Sequence, residues 1–149
     1  PDQFACEFAR GVVYGIQPCV HKVMLSHLTD PQWATDWKFV TDTARFYYAH
    51  REFLFDGEML EPGRMICDST AVDFFIRGCY TREEKFRTCR QEALPAVFHS
   101  VWRAPDGRVA AVDVNRTREP RAYRLETPDV VASGTLQPLS WELVGGGCK

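Results

Sequence analysis

Val97-Phe-His-Ser-Val-Trp-Arg-Ala-Pro-Asp-Gly-Arg-Val-Ala-Ala-Val-Asp-Val114 holds two period-two runs around Ala104-Pro-Asp-Gly107. A Pro-Asp-Gly turn between β-branched and aromatic stretches predicts an antiparallel hairpin. Alternation sends Val112 and Val114 to the core and Asp113 to solvent. Downstream, Arg121-Ala-Tyr-Arg-Leu125, Asp129-Val-Val-Ala132 and Ser140-Trp-Glu-Leu-Val144 read as further short strands. The turn residues Glu119-Pro120, Thr127-Pro128, Ser133-Gly134 and Pro138 separate them. Short strands at this spacing predict a small antiparallel β-sandwich.

Upstream the period changes. Asp30-Pro31 reads as an N-cap followed by a proline at the first helical position. Trp33, Trp37, Val40, Ala44, Tyr47 and Arg51 then keep helical spacing, with Phe39 and Phe46 widening the stripe. A helix over Pro31 to Arg51 follows, burying Trp33, Trp37, Val40, Ala44 and Tyr47 on one side. Asp2 to Arg10 reads as a helix end with Phe4 and Phe8 on one face, stopped by Gly11. Val12-Val-Tyr-Gly-Ile-Gln17, closed by Pro18, suits a strand covered on both faces, as in a parallel sheet.

Between these parts, Phe53-Leu-Phe55 looks extended, and Asp56-Gly57 and Pro62-Gly63 are turns. Val72 to Ile76 suits a strand or a short helix, and Thr81-Arg-Glu-Glu84 resembles a capping box opening a helix to about Glu92. The expected fold class is α+β. The end of a β/α (TIM-type) barrel over residues 1–57 precedes a small antiparallel β-sandwich accessory domain over 58–144, with an irregular entry and a tail at 145–149.

Over 149 residues the net charge is −2, with 45% hydrophobic and 26% charged residues. This balance offers no general attraction for nucleic acid or anionic lipid, and no apolar run is long enough to span a membrane. Six cysteines occur without a C-x-x-C pair, which argues against a finger-type metal site. Free, mostly buried thiols are expected, favouring a soluble cytoplasmic protein; no cofactor or metal is implied.

No G-x-S-x-G, P-loop or G-x-G-x-x-G motif occurs, and His21, His27, His50 and His99 are not paired at i, i+4. Asn115-Arg116-Thr117 fits the glycosylation pattern but follows a strand, where a polar turn is expected. Glycosidases commonly need two carboxylates flanking the scissile bond. Glu7, Asp56, Glu58, Glu61 and Asp73 are candidates, each better explained as a surface charge or turn former.

Phe8-Ala-Arg-Gly-Val-Val-Tyr-Gly-Ile-Gln-Pro18 resembles the last helix-to-strand passage of glycoside-hydrolase-like barrels, where an aromatic-Gly-x-Gln-Pro run ends the final strand. Asp36 to Arg51 looks like the closing barrel helix, and Phe55-Asp-Gly-Glu-Met-Leu60 like the exit into the accessory domain. Phe98 to Arg108, with Val112-Asp-Val-Asn115, is similar to the first hairpin of its sandwich. Together these segments resemble an uncharacterised bacterial family of glycoside-hydrolase-like barrel proteins. Ile16 stands where relatives are expected to carry a polar residue.

The resemblance implies a carbohydrate substrate, with catalytic carboxylates on earlier barrel strands that this chain lacks. Tyr14 and Gln17 would then be substrate-binding residues at the barrel rim, where ligand groups gather. The chain alone would be inactive. The alternative is a non-catalytic carbohydrate-binding or interaction module with an exposed aromatic platform such as Trp102 or Trp141.

Overall fold

A computed structural model describes residues 2–21, 23–76 and 88–145. It shows a mixed α and β chain. Residues 2–54 supply helices α1 (Asp2–Val13), α2 (Leu25–Thr29), a 3-10 turn (Pro31–Trp33), α3 (Ala34–Ala49) and α4 (Arg51–Leu54). The strands follow: β1 (Glu58–Leu60), β2 (Arg64–Cys67), β3 (Ser69–Ile76), β4 (Thr88–Pro95), β5 (Val97–Arg103), β6 (Val109–Asn115), β7 (Arg121–Glu126), β8 (Val131–Leu136) and β9 (Ser140–Gly145). Every strand pair among the described residues is antiparallel, in sheets ordered β1-β5-β6-β9, β2-β7-β8 and β3-β4.

The Pro105–Gly107 turn joins β5 to β6 as the alternation predicts, with Gly107 at φ 88°. Strand β6 lies at the centre of three layers. On one side Ala110, Val112 and Val114 pack with Ala5, Ala9, Val12, Phe39, Tyr47 and Phe53 from the helices. On the other, Ala111 packs with Val97, Val101, Tyr123, Leu125 and Leu136, which closes the β1-β5-β6-β9 sheet against β2-β7-β8. Each large side chain buried in these layers contributes roughly 1.5–3 kcal/mol. Because β6 has no wet face, Asp113 is fully buried (0% exposed) instead of facing solvent.

The expected strand at Val12–Gln17 does not form. Helix α1 continues through Gly11 to Val13 and stops at Gly15, whose φ of 76° suits a left-handed C-terminal cap. The Ile16 amide donates to the Gly11 carbonyl at 3.0 Å and the Gly15 amide to Val12 at 2.9 Å, the paired bonds of a Schellman motif. A Cβ on Gly15 would sit 2.8 Å from the Leu54 carbonyl oxygen and 2.9 Å from the Trp102 ring. The face that α1 buries is built of Ala5, Cys6, Ala9, Val12 and Val13, small enough to let it lie close on the sheet.

Asp30 caps the turn before α3, its carboxylate accepting from the Gln32 amide at 3.0 Å. The buried face of α3 is Phe39, Thr43 and Tyr47, rotated from the expected Trp33–Trp37–Val40–Ala44–Tyr47 stripe. Trp141 on β9 causes the rotation. Its ring stacks between Phe39 and Phe46, with centroids 6.3 and 5.2 Å away, and its Nε1 donates to Thr43 Oγ1 at 2.8 Å. Trp33 is exposed, and Trp37 and Val40 are half-buried beside an apolar hollow shared with Phe4 and Val20.

Two further expectations are corrected. Residues 51–54 are helical, so Phe53 points into the core from α4 and Phe53–Phe55 is not an extended segment. Thr88–Glu92 lies in β4, paired along β3, so no helix reaches Glu92; the capping-box motif at 81–84 lies outside the described residues. Of the described cysteines only Cys6 is buried; Cys19 and Cys89 are exposed and Cys67 is intermediate. Cys79 and Cys148 lie outside the described residues.

Candidate functional site

Where α1 ends against the sheets, an open cleft of about 560 Å³ forms. The end of α1 provides Arg10 and Val13, with Tyr14 just beyond it; the chain from β1 to β2 provides Met59, Leu60, Pro62 and Met65; β4 provides Leu94 and Pro95; β5 provides Phe98, His99 and Ser100. Four distant segments therefore meet here. Tyr14 stands 58% exposed at the mouth because the Schellman turn lifts it off the helix's buried face. Among the described lining residues there is no carboxylate.

His99 Nε2 lies 3.0 Å from the Pro62 carbonyl oxygen. With Nε2 donating there, Nδ1 is left as an acceptor. Burial pushes the imidazole below its ordinary range, and the Pro62 bond partly offsets this. His99 is thus neutral near pH 7, a hydrogen-bonding group rather than a cation. Ser100 is already engaged, accepting from Trp102 Nε1 at 2.8 Å.

From His99 a polar row runs into the interior. His99 pairs in register with Asp113, and Asp113 with Glu142. Side chains at such positions share a face, with Cβ atoms about 4.5–5.5 Å apart. From the opposing sheet, Tyr123 donates its hydroxyl to Glu142 Oε2 at 2.9 Å. Neither Asp113 oxygen has a hydrogen-bond partner among the described residues. Burial, with a smaller push from the Glu142 charge, raises the Asp113 carboxyl to about 7. The Tyr123 hydroxyl is raised as well, first by burial and then by its bond to Glu142.

The two residues expected at a barrel rim separate. Tyr14 lines the cleft, whereas the Gln17 amide donates to the Tyr48 hydroxyl at 2.6 Å and Gln17 is not among the lining residues. Ile16 is exposed beside them. Trp102 and Trp141 form no outward platform, because the helices cover them. The candidate acids are dispersed. Glu7 accepts from Gln3, Asp56 pairs with Arg51, Glu58 with Arg103, and Asp73 accepts from Gln91. Glu61 is exposed.

Sequence reasoning left His99 as one of four histidines without an i, i+4 partner and placed Asp113 in solvent. The signal for both lay in register, since a central strand covered on two sides turns every polar residue inward. Comparison of the chain with protein-family models, with curated proteins and with solved structures finds no match. No helix among the described residues is long and apolar enough to cross a membrane. No cluster of metal-ligating side chains occurs among them.

Proposed function

We propose that this chain is a non-catalytic accessory part of a carbohydrate-acting protein of the glycoside-hydrolase-like kind, its helices closing a barrel and its facing sheets forming the sandwich domain. In this proposal it holds a saccharide in the cleft between α1 and the sheets. The observation that carries it is the meeting of Tyr14, Arg10, Phe98 and His99 in one open cleft. Aromatic rings cover the apolar face of a pyranose, while a guanidinium, a phenol and a neutral imidazole hydrogen-bond its hydroxyls. A lining without carboxylates suits holding over hydrolysis, which calls for two.

The test is calorimetric titration of the chain with a panel of neutral oligosaccharides. Tyr14→Ala should weaken binding about tenfold, roughly 1.4 kcal/mol, with an unchanged melting temperature because Tyr14 is exposed. No binding across the panel, or binding indifferent to Tyr14, overturns the proposal.

A second reading is favoured by the exposed apolar residues gathered between α1 and α3: Tyr14, Ile16, Val23, Met24, Leu25, Leu28 and Trp33. Exposed apolar residues gathered in one stretch mark an interaction surface. In that reading the helical layer is docked on another protein surface, such as the barrel it would close.

A further inference from the structure

Arg116 follows β6 and turns inward, leaving only 3% of the residue exposed. Its Nε donates to the Pro95 carbonyl at 2.8 Å. Its Nη2 reaches the Thr70 carbonyl at 3.1 Å, Thr70 Oγ1 at 2.8 Å and the Leu94 carbonyl at 2.7 Å. The guanidinium carbon lies 5.4 Å from the centroid of the Phe98 ring. Every one of these partners is neutral. Burial lowers the pKa of the guanidinium from its ordinary value, yet an arginine remains charged at any pH of interest.

Buried charges are normally paired, because a desolvated ion without a counter-ion is expensive. Among the described residues Arg116 has no carboxylate within ion-pair distance, and its Nη1 makes no hydrogen bond. The residue lines a cleft of about 210 Å³ together with Asp2, Thr70, Arg118, Glu119 and Arg121. Three guanidinium groups thus face two acids. Both acids bind the outer arginines: Arg118 Nε lies 3.5 Å from Asp2, and Arg121 Nη2 lies 2.7 Å from Glu119. Arg118 also holds Asp36 at 2.6 Å. The innermost cation is the one left without an ion pair, with the Asp2 charge near enough to favour its charged form.

We propose that this cleft binds a small oxyanion, a carboxylate, sulfate or phosphate group, held by Arg116 Nη1 with Arg118 and Arg121 at the mouth. Guanidinium groups match such oxygens in pairs, and a partly desolvated cleft strengthens each bond. The two clefts share no lining residue, although Arg116 packs on Phe98 at the back of the Tyr14 cleft, and the site stands whether or not that cleft takes sugar. A purely structural Arg116 would tie the β3–β4 hairpin to β6 without answering to anions.

Thermal unfolding of the whole chain in sodium sulfate, sodium phosphate and sodium glucuronate, each against sodium chloride at matched ionic strength, separates the two cases. A saturating rise in melting temperature with at least one anion is expected, and which anion gives it identifies the preferred group. Sulfate and phosphate also stabilise proteins by exclusion, but that effect does not saturate. Glu119→Gln, which releases Arg121, should lower the half-saturating concentration several-fold, whereas Arg121→Gln should raise it about tenfold. The Glu119 side chain is 72% exposed, so Glu119→Gln leaves the fold intact and the test standing should Arg121→Gln fail to fold. The absence of any saturating response, or a response identical in wild type and Glu119→Gln, overturns the proposal.

Discussion

Replacing Asp113 by Asn should make the protein more stable above neutrality and remove a pH dependence that the wild type carries. The folded-state carboxyl titrates at about 7 against an ordinary value of 3.8, because it is buried and faces Glu142. A raised pKa means that the folded chain holds a proton the unfolded chain has already released. The stability tied to that proton is complete below about pH 3.8. It falls as pH rises through about 7, and above that it is gone. Three pKa units at about 1.36 kcal/mol each set the span near 4 kcal/mol, an upper value if water reaches the ionised group.

Urea unfolding followed by tryptophan fluorescence at pH 4.5, 6, 7 and 8.5 measures it. The amide of Asp113→Asn brings a fixed offset of its own, so the quantity to read is the slope. The difference between variant and wild type should grow by about 2–4 kcal/mol in the variant's favour from pH 4.5 to 8.5. Glu142→Gln should shrink the wild-type slope without abolishing it, since burial is the larger cause. Parallel pH profiles for wild type and Asp113→Asn, or a wild type that gains on the variant as pH rises, would refute the reasoning.

Two further outcomes follow from local geometry. Trp141→Phe and Thr43→Val should each cost about 1–2 kcal/mol in urea unfolding, and the double variant should cost less than their sum, because both remove the Nε1–Oγ1 bond. Gly15→Ala should cost clearly more than Gly107→Ala in the same assay. Both glycines have positive φ, worth about 1–2 kcal/mol to a residue with a Cβ, but Gly15 also meets the Leu54 carbonyl and the Trp102 ring while Gly107 faces open space.

The elements most legible in the sequence were those whose signal is local. Asp30-Pro31 announces its helix through one carboxylate-to-amide bond, and Pro105-Asp-Gly107 announces its hairpin. Errors arose where the deciding contact came from far along the chain. Gly11 and Gly15 are both plausible helix stops, and the positive φ and close quarters against Trp102 select the second. Thr43 reads as surface until Trp141, 98 positions away, gives its hydroxyl a buried donor. Asp113 reads as solvent-facing under an alternation rule that presumes one wet face. The cleft was legible only in Tyr14, because its other walls come from β1, β2, β4 and β5.

The corner after β6 bears on where such a chain can be produced. Asn115 is fully buried, and its side-chain amide donates to the carbonyls of Glu119 at 2.7 Å, Leu136 at 3.2 Å and Gln137 at 3.0 Å. Its Oδ1 accepts from the Thr117 amide and hydroxyl at 2.9 and 2.8 Å. Asn115-Arg116-Thr117 is nonetheless an acceptor sequence for N-linked glycan transfer. A glycan on that nitrogen would replace one of the two hydrogens that serve three carbonyls and would have to occupy packed interior. In a eukaryotic secretory host the transferase would meet this asparagine on the nascent chain before Leu136 and Gln137 could shield it. A chain tagged there could not close β6 against the β8–β9 connection, so occupancy of the acceptor and native folding are mutually exclusive fates.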